Sequence, residues 1–157
     1  MTVTAEQAFA FGEKQLERIT GQDGKITLPQ NGIVVIYQST CPHCQRSLEN
    51  TNMATQTSNG TPVTWIDVAN PEGMKAFQNL SGVNTENGFS VGGTSITGVP
   101  TTLAMKNGVA TEVLKTSVLE RGDLDMMAAM QKGKDAAHST GKVYTYKTGP
   151  EAVGASR

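Results

Sequence analysis

The residues in this sequence best suited to chemistry are its only two cysteines, Cys41 and Cys44. They are separated by Pro42 and His43, and this spacing places both sulfurs at one end of a helix, close enough to bond to each other. The unpaired N–H groups and the macrodipole of a helix N-terminus favour a thiolate there. The pattern therefore predicts a redox dithiol, in which Cys41 attacks a disulfide and Cys44 resolves the mixed disulfide.

The same two cysteines are also compatible with half of a zinc site. The other ligands are missing, because the chain has no third cysteine and His138 is its only histidine besides His43. A disulfide-stapled secreted scaffold is disfavoured as well, since such a fold spreads its cysteines along the chain. We therefore predict no metal and no cofactor.

The dithiol directly follows a segment that is typical of a buried strand. Residues 33–36 are four consecutive β-branched residues, and the strand predicted over 33–37 is expected to be covered on both faces. A helix is predicted from residue 44 to about residue 54. Pro42 suits its first turn, where a backbone N–H has no partner in any case.

The remaining hydrophobic patterns predict alternating helices and strands. Further helices are expected at about 5–20, 72–80 and 119–130, and further strands at 63–68, 99–105 and 109–114. The residues between the last two strands, Lys-Asn-Gly, are typical of a hairpin turn. Residues 81–98 are rich in Gly, Asn, Ser and Thr and show no helical period, which predicts a long loop.

A second motif, at residues 98–108, reads Gly-Val-Pro-Thr-Thr-Leu-Ala-Met-Lys-Asn-Gly. Together with the strand that runs into Cys-x-x-Cys, it resembles the thioredoxin superfamily over about residues 33–130. The resemblance implies an α/β, thioredoxin-like fold, with a central mixed β-sheet flanked by helices, an inserted loop and a C-terminal extension. It also implies a cis Val99–Pro100 bond facing the dithiol, with Val99 and Pro100 binding an extended substrate segment.

Pro42 and His43, the two residues between the cysteines, make the motif identical to that of the periplasmic oxidants typified by DsbA. By that resemblance, His43 stabilises the reduced form through a hydrogen bond or a positive charge, which makes the couple more oxidising than one with Gly-Pro in between. The implied activity is that of a thiol–disulfide oxidoreductase acting on protein thiols or disulfides. Its catalytic residues would be Cys41, Cys44, His43 and Pro42.

Two positions depart from the thioredoxin pattern. The family carries an aromatic residue just before the first cysteine, where this chain has Thr40. It also carries a buried acid six residues ahead of that cysteine, where this chain has Val35. A buried carboxylate helps to take the proton from the resolving thiol, so its replacement by Val35 argues against fast turnover.

Length and charge limit the classes of partner. The 157 residues fit one domain, predicted at 1–130, followed by an extension at 131–157. A net charge of −1 gives no reason to expect nucleic acid or an anionic membrane as partner.

The sequence has no apolar run of the roughly 18 residues that a membrane span needs, and its N-terminus lacks the pattern of a secretory signal. We therefore expect synthesis in the cytoplasm.

A second class of function remains open on the sequence alone. The chain is also compatible with a thioredoxin-fold structural or adaptor component of a larger assembly, such as a phage virion, in which the dithiol is secondary. Residues 142–148 alternate in side-chain direction, with two tyrosines on one face. This pattern suits strand addition at a sheet edge, so we predict that residues 139–157 contact another chain or fold back over their own domain.

Overall fold

The computed structural model describes residues 2–140, with side chains as far as Gly133. The strand predicted at 142–148 and the contacts predicted for residues 139–157 lie outside this part. In chain order the elements are α1 (Ala5–Ile19), β1 (Gly32–Tyr37), α2 (Pro42–Thr51), β2 (Thr57–Ser58), β3 (Thr61–Asp67), α3 (Pro71–Gln78), β4 (Val83–Asn84), β5 (Phe89–Val91), β6 (Thr94–Ile96), β7 (Thr101–Lys106), β8 (Val109–Lys115) and α4 (Arg121–Thr140).

The central sheet is mixed and has five strands in the order β2-β3-β1-β7-β8. β1 runs parallel to β3 and antiparallel to β7. Every residue of β1 is buried, and its side chains alternate between two hydrophobic clusters: Ile33, Val35 and Tyr37 join one, whereas Val34 and Ile36 join the other. The protein is thus an α/β fold with a central mixed sheet flanked by helices, and the predicted two-sided burial of this strand is confirmed.

The two clusters fix the helices against the sheet. Leu48 of α2 and Leu124 of α4 are buried in one cluster, together with Ala8 from the first half of α1. Phe77 of α3 and Leu16 from the second half of α1 are buried in the other. Full burial of such a Leu or Phe side chain contributes roughly 1.5–3 kcal/mol, so the helix that carries the dithiol is held firmly on one face.

The prediction of a long loop over residues 81–98 is wrong. The segment forms a small antiparallel sheet in the order β4-β5-β6, which packs on the main domain through buried Val91 and through a ring contact of 4.8 Å between Phe89 and Phe77. Its strands are two or three residues long and joined by tight turns with positive φ at Asn87 and Gly92. Strands this short leave no readable alternation in the sequence.

The last helix also runs further than expected. α4 continues from Arg121 to Thr140, past the end predicted at residue 130 and into the predicted extension. Gln131 is buried, and its Nε2 donates to the carbonyl oxygen of Met105 at 3.2 Å. A helical glycine, here Gly133, lowers helix stability by only about 0.5–1 kcal/mol, which this packing offsets. None of the described helices combines the length and apolar character needed to cross a bilayer.

Candidate dithiol site

Cys41 lies at the start of α2 because a proline follows it. Pro42 is the first helical residue, and Cys41 is the N-cap, with extended backbone angles of φ −91° and ψ 123°. The fixed φ of proline suits the first turn, and its missing N–H removes no helical hydrogen bond. The Cys41 residue is partly exposed, so its thiol lies at a helix N-terminus that a partner can reach.

Cys44 lies one turn further along α2 and is fully buried. Its sulfur accepts a hydrogen bond of 3.4 Å from the backbone N–H of Gln38. Burial is the main cause that raises the pKa of Cys44 to about 12; the hydrogen bond from Gln38 opposes it, and the neighbouring Cys41 and the charge of Asp67 add smaller contributions in the same direction as burial. Both cysteines therefore lie at the N-terminal end of α2, and Cys41 is the more exposed of the two.

His43 and Pro42 lie on the solvent side of the dithiol, and both are exposed. The backbone carbonyl of His43 accepts a 3.2 Å hydrogen bond from the Ser47 hydroxyl. That hydroxyl in turn accepts one of 2.8 Å from the N–H of Leu119. The first turn of α2 is therefore fixed to the segment that precedes α4, while the imidazole remains free to interact with solvent and with an approaching partner.

The Val99–Pro100 peptide bond is cis, as predicted. Thr101, the next residue, pairs with Ile36 of β1, so the bond lies at the same end of the sheet from which the chain runs on to Cys41. Val99 is partly buried and, like Cys41, packs against the cluster that contains Cys44. The sheet thus brings the Cys-x-x-Cys segment and the Val99–Pro100 segment, the two motifs found in the sequence, to one end of the molecule.

A buried carboxylate that the sequence interpretation missed lies behind Cys44. Asp67 ends β3, pairs with Tyr37 in the parallel register and is 0 % exposed. Its Oδ1 accepts hydrogen bonds from the N–H groups of Ser39 at 3.0 Å and Ala69 at 2.9 Å. Val35 occupies the position on β1 where the thioredoxin pattern has an acid. It is buried and pairs with Trp65 of β3, the strand that carries Asp67. The acid therefore comes from β3 instead of β1.

Tyr37 completes this buried group. Its hydroxyl donates to the carbonyl oxygen of Ala8 at 2.8 Å. Burial is the main reason that the pKa of Tyr37 is raised far above its usual range, and the charges of Asp67 and then Cys44 add to the effect. A carboxylate at the C-terminal end of a predicted strand was the one sequence signal that pointed to Asp67, but nothing local linked it to the dithiol.

Among the described residues, no cluster of three or more His, Cys, Asp and Glu side chains is arranged to hold a metal ion. Comparison of the chain with protein-family models, with curated proteins and with solved structures yields no match. The chemistry of the site therefore has to be inferred from its geometry. A partly exposed thiol at a helix N-terminus, next to a buried thiol that holds its proton, has the arrangement needed for disulfide exchange in two steps.

Proposed function

We propose that this protein is a thioredoxin-like thiol–disulfide oxidoreductase that acts on protein thiols or disulfides through Cys41 and Cys44. One observation carries the proposal: Cys41 is partly exposed at the N-terminus of α2, whereas Cys44 is buried one turn further on. Exchange needs a thiolate that a partner can reach and a second thiol that only the first can reach. The two environments supply one cysteine that a partner can reach and one that is shielded from it.

In the oxidising direction, a substrate thiolate attacks the Cys41 sulfur of the Cys41–Cys44 disulfide. The bond between the two cysteines breaks, a bond from substrate to Cys41 forms, and Cys44 leaves and takes up a proton. A second substrate thiolate then attacks the substrate sulfur of this mixed disulfide and releases Cys41 as a thiolate. Two substrate thiols become one disulfide, and the two electrons remain on the enzyme dithiol.

The surroundings of Cys41 favour this direction. His43 is exposed next to it, and a hydrogen bond or positive charge at that position would stabilise the reduced enzyme, as the resemblance to DsbA-type oxidants implies. The partly exposed Val99, next to the cis bond at Pro100, offers backbone groups at the same end of the sheet. An extended substrate segment could bind there by strand-like hydrogen bonds.

The test is a pair of assays on the purified chain: oxidation of a reduced, unfolded test protein, and reduction of insulin by a dithiol. Cys41→Ser should reduce both rates to the uncatalysed background, because no other cysteine can replace the nucleophile. Cys44→Ser should instead accumulate a mixed disulfide at Cys41, visible as a mass increase that a reductant removes. Thr40→Ser changes an exposed neighbour, keeps both thiols and should retain activity. Wild-type rates from Cys41→Ser would refute the proposal.

A further inference from the structure

The dipeptide Asn-Gly occurs four times in the chain, at residues 31–32, 59–60, 87–88 and 107–108. Asparagine followed by glycine is the pair that loses its side-chain amide most readily without an enzyme, because glycine has no Cβ to shield its backbone nitrogen from the preceding side chain. All four asparagines are exposed, so access to solvent does not distinguish them. The four pairs differ instead in what restrains the reacting groups.

The loss of the amide requires two groups of the same pair to meet. The backbone nitrogen of the glycine bonds to the side-chain carbonyl carbon of the asparagine, the bond from that carbon to Nδ2 breaks, and ammonia leaves with the proton of the backbone N–H. Water then opens the five-membered imide at either carbonyl and gives aspartate or isoaspartate. A hydrogen bond from the side-chain amide or from the glycine N–H opposes the reaction, because it must break before the two groups can meet.

Two of the four pairs are held by a hydrogen bond to a distant part of the chain. Nδ2 of Asn59 donates to the carbonyl oxygen of Asp125 in α4 at 2.9 Å, which fixes the leaving group. The N–H of Gly108 donates to the carbonyl oxygen of Gln30 at 2.8 Å, which occupies the attacking group. Asn59 and Asn107 are therefore each restrained at one of the two groups that have to react.

The pair at residues 31–32 is restrained by the central sheet. Gly32 is buried at the start of β1 and pairs with Met105 of β7. Oδ1 of Asn31 accepts a hydrogen bond of 3.2 Å from the backbone N–H of Asn107. The backbone at this pair cannot rotate without disturbing β1, the strand whose side chains enter both hydrophobic clusters.

The pair Asn87–Gly88 has none of these restraints. It lies between β4 and β5, and both of its residues are exposed. Among the described residues, the side-chain amide of Asn87 has no hydrogen-bond partner, and the backbone N–H of Gly88 donates no hydrogen bond. A Cβ built on Gly88 would meet no atom within 4 Å, so no neighbouring group limits the movement of this turn. The flanking strands have only two and three residues.

From these differences we infer that Asn87 is a site of spontaneous deamidation in the folded protein, where it is converted through an imide with Gly88 to aspartate and isoaspartate. The other three Asn-Gly pairs react only after the hydrogen bonds or the strand that restrain them have opened. The inference is independent of the dithiol function, because neither cysteine takes part in the reaction.

The products can be recognised by charge and by chain length. Both carry one negative charge more than the starting protein, beside the carboxylate of Glu86. Isoaspartate also leads the main chain through the former side chain, which inserts one additional backbone atom before Phe89. Ion-exchange chromatography therefore separates the aged protein, and fragmentation of its peptides by mass spectrometry identifies the residue and distinguishes the two products.

The test uses the wild-type chain alone, incubated at mildly alkaline pH either folded or in concentrated urea. In urea all four Asn-Gly pairs should lose the amide at similar rates, since their local sequence is the same and no fold restrains them. In the folded protein Asn87 should react nearly as fast as in urea. The other three asparagines should react more slowly than in urea by about tenfold or more, because at least one hydrogen bond must open at each.

The chain contains its own control for exposure. Asn79 is exposed as well, but Leu80 follows it, so it should keep its amide in both conditions over the same period. Protection of Asn87 in the folded protein as strong as that of Asn59 would overturn the inference. So would loss of the amide from Asn79 as fast as from Asn87, because exposure alone would then explain the result.

Discussion

The two sides of the dithiol are built in opposite ways. On the solvent side, Cys41 is partly exposed and His43 is exposed. On the interior side, Cys44, Tyr37 and Asp67 are each 0 % exposed and are held by hydrogen bonds from or to the backbone. The side chains on the solvent side can interact with solvent and with the substrate. The interior side is fixed by the fold, so the two steps of the proposed exchange should respond to different changes.

The interior side depends on close approach of helices to the strand ends. Gly12 of α1 and Gly73 of α3 face Asp67 where a Cβ would collide with it. Gly133 of α4, in contrast, has open space where its Cβ would be. None of these three helical glycines has a positive φ, so an alanine at each position tests space alone and not backbone conformation.

The largest expected effect comes from Gly73→Ala. Its Cβ would overlap a backbone atom, which cannot rotate away as a flexible side chain can, so destabilisation should be at the upper end of the about 1–3 kcal/mol typical of overpacking. Gly133→Ala should instead stabilise by about 0.5–1 kcal/mol, since alanine is the better helix former. Denaturant unfolding of the two variants measures both values. Equal effects would show that the interior side is not tightly packed.

The solvent side was largely predictable from the sequence, because its features are local. Pro42 directly after Cys41 fixes the helix start, and the cis bond was expected from the short motif around Pro100. Both are set by neighbours within a few residues. The run of β-branched residues that becomes β1 was equally readable, and its burial on both faces follows from the absence of polar alternation.

The interior side was not predictable, because its contacts are long-range. The hydrogen bond from Ser39 to Asp67 spans 28 residues, and that from Tyr37 to Ala8 spans 29. Finding them requires the register that places Asp67 beside Tyr37, which no single segment encodes. Looking for a buried acid only at Val35 assumed that it had to be on the dithiol's own strand, whereas the adjacent parallel strand ends at the same edge of the sheet.

An effect that is smaller per pH unit should appear in the pH dependence of the stability of the reduced protein. The folded state keeps the proton on Cys44 up to a pKa of about 12, whereas the value in an unperturbed chain is about 9. Between these values the unfolded state binds fewer protons, so the free energy of unfolding falls as pH rises. The contribution is fully present below about pH 9 and is lost by up to about 1.4 kcal/mol per pH unit above it.

Cys44→Ala removes this contribution and is the matched control. The variant starts from a lower stability because a buried sulfur is lost, but its stability should fall less steeply between about pH 9 and 12. The remaining slope includes Tyr37, whose pKa is also raised by burial and which acts in the same direction. Urea titrations of both proteins at a series of pH values measure the difference. Equal slopes would mean that the interior does not hold the Cys44 proton.

The smallest effect is expected on the solvent side, at His43. In the proposed function, a hydrogen bond or positive charge there would stabilise the reduced dithiol, so His43→Gly should lower the reduction potential, by about 30 mV if the side chain contributes ~1.4 kcal/mol. Because His43 is exposed, a charge effect should shrink as ionic strength rises. His43→Gln separates the two causes, since it can still donate a hydrogen bond but carries no charge. Equilibration with glutathione buffers measures each potential. A change within about 10 mV for His43→Gly would show that the solvent side does not tune the reduction potential of the dithiol. An equal shift of the potential in Asp67→Asn would show that the solvent side and the interior side do not act separately.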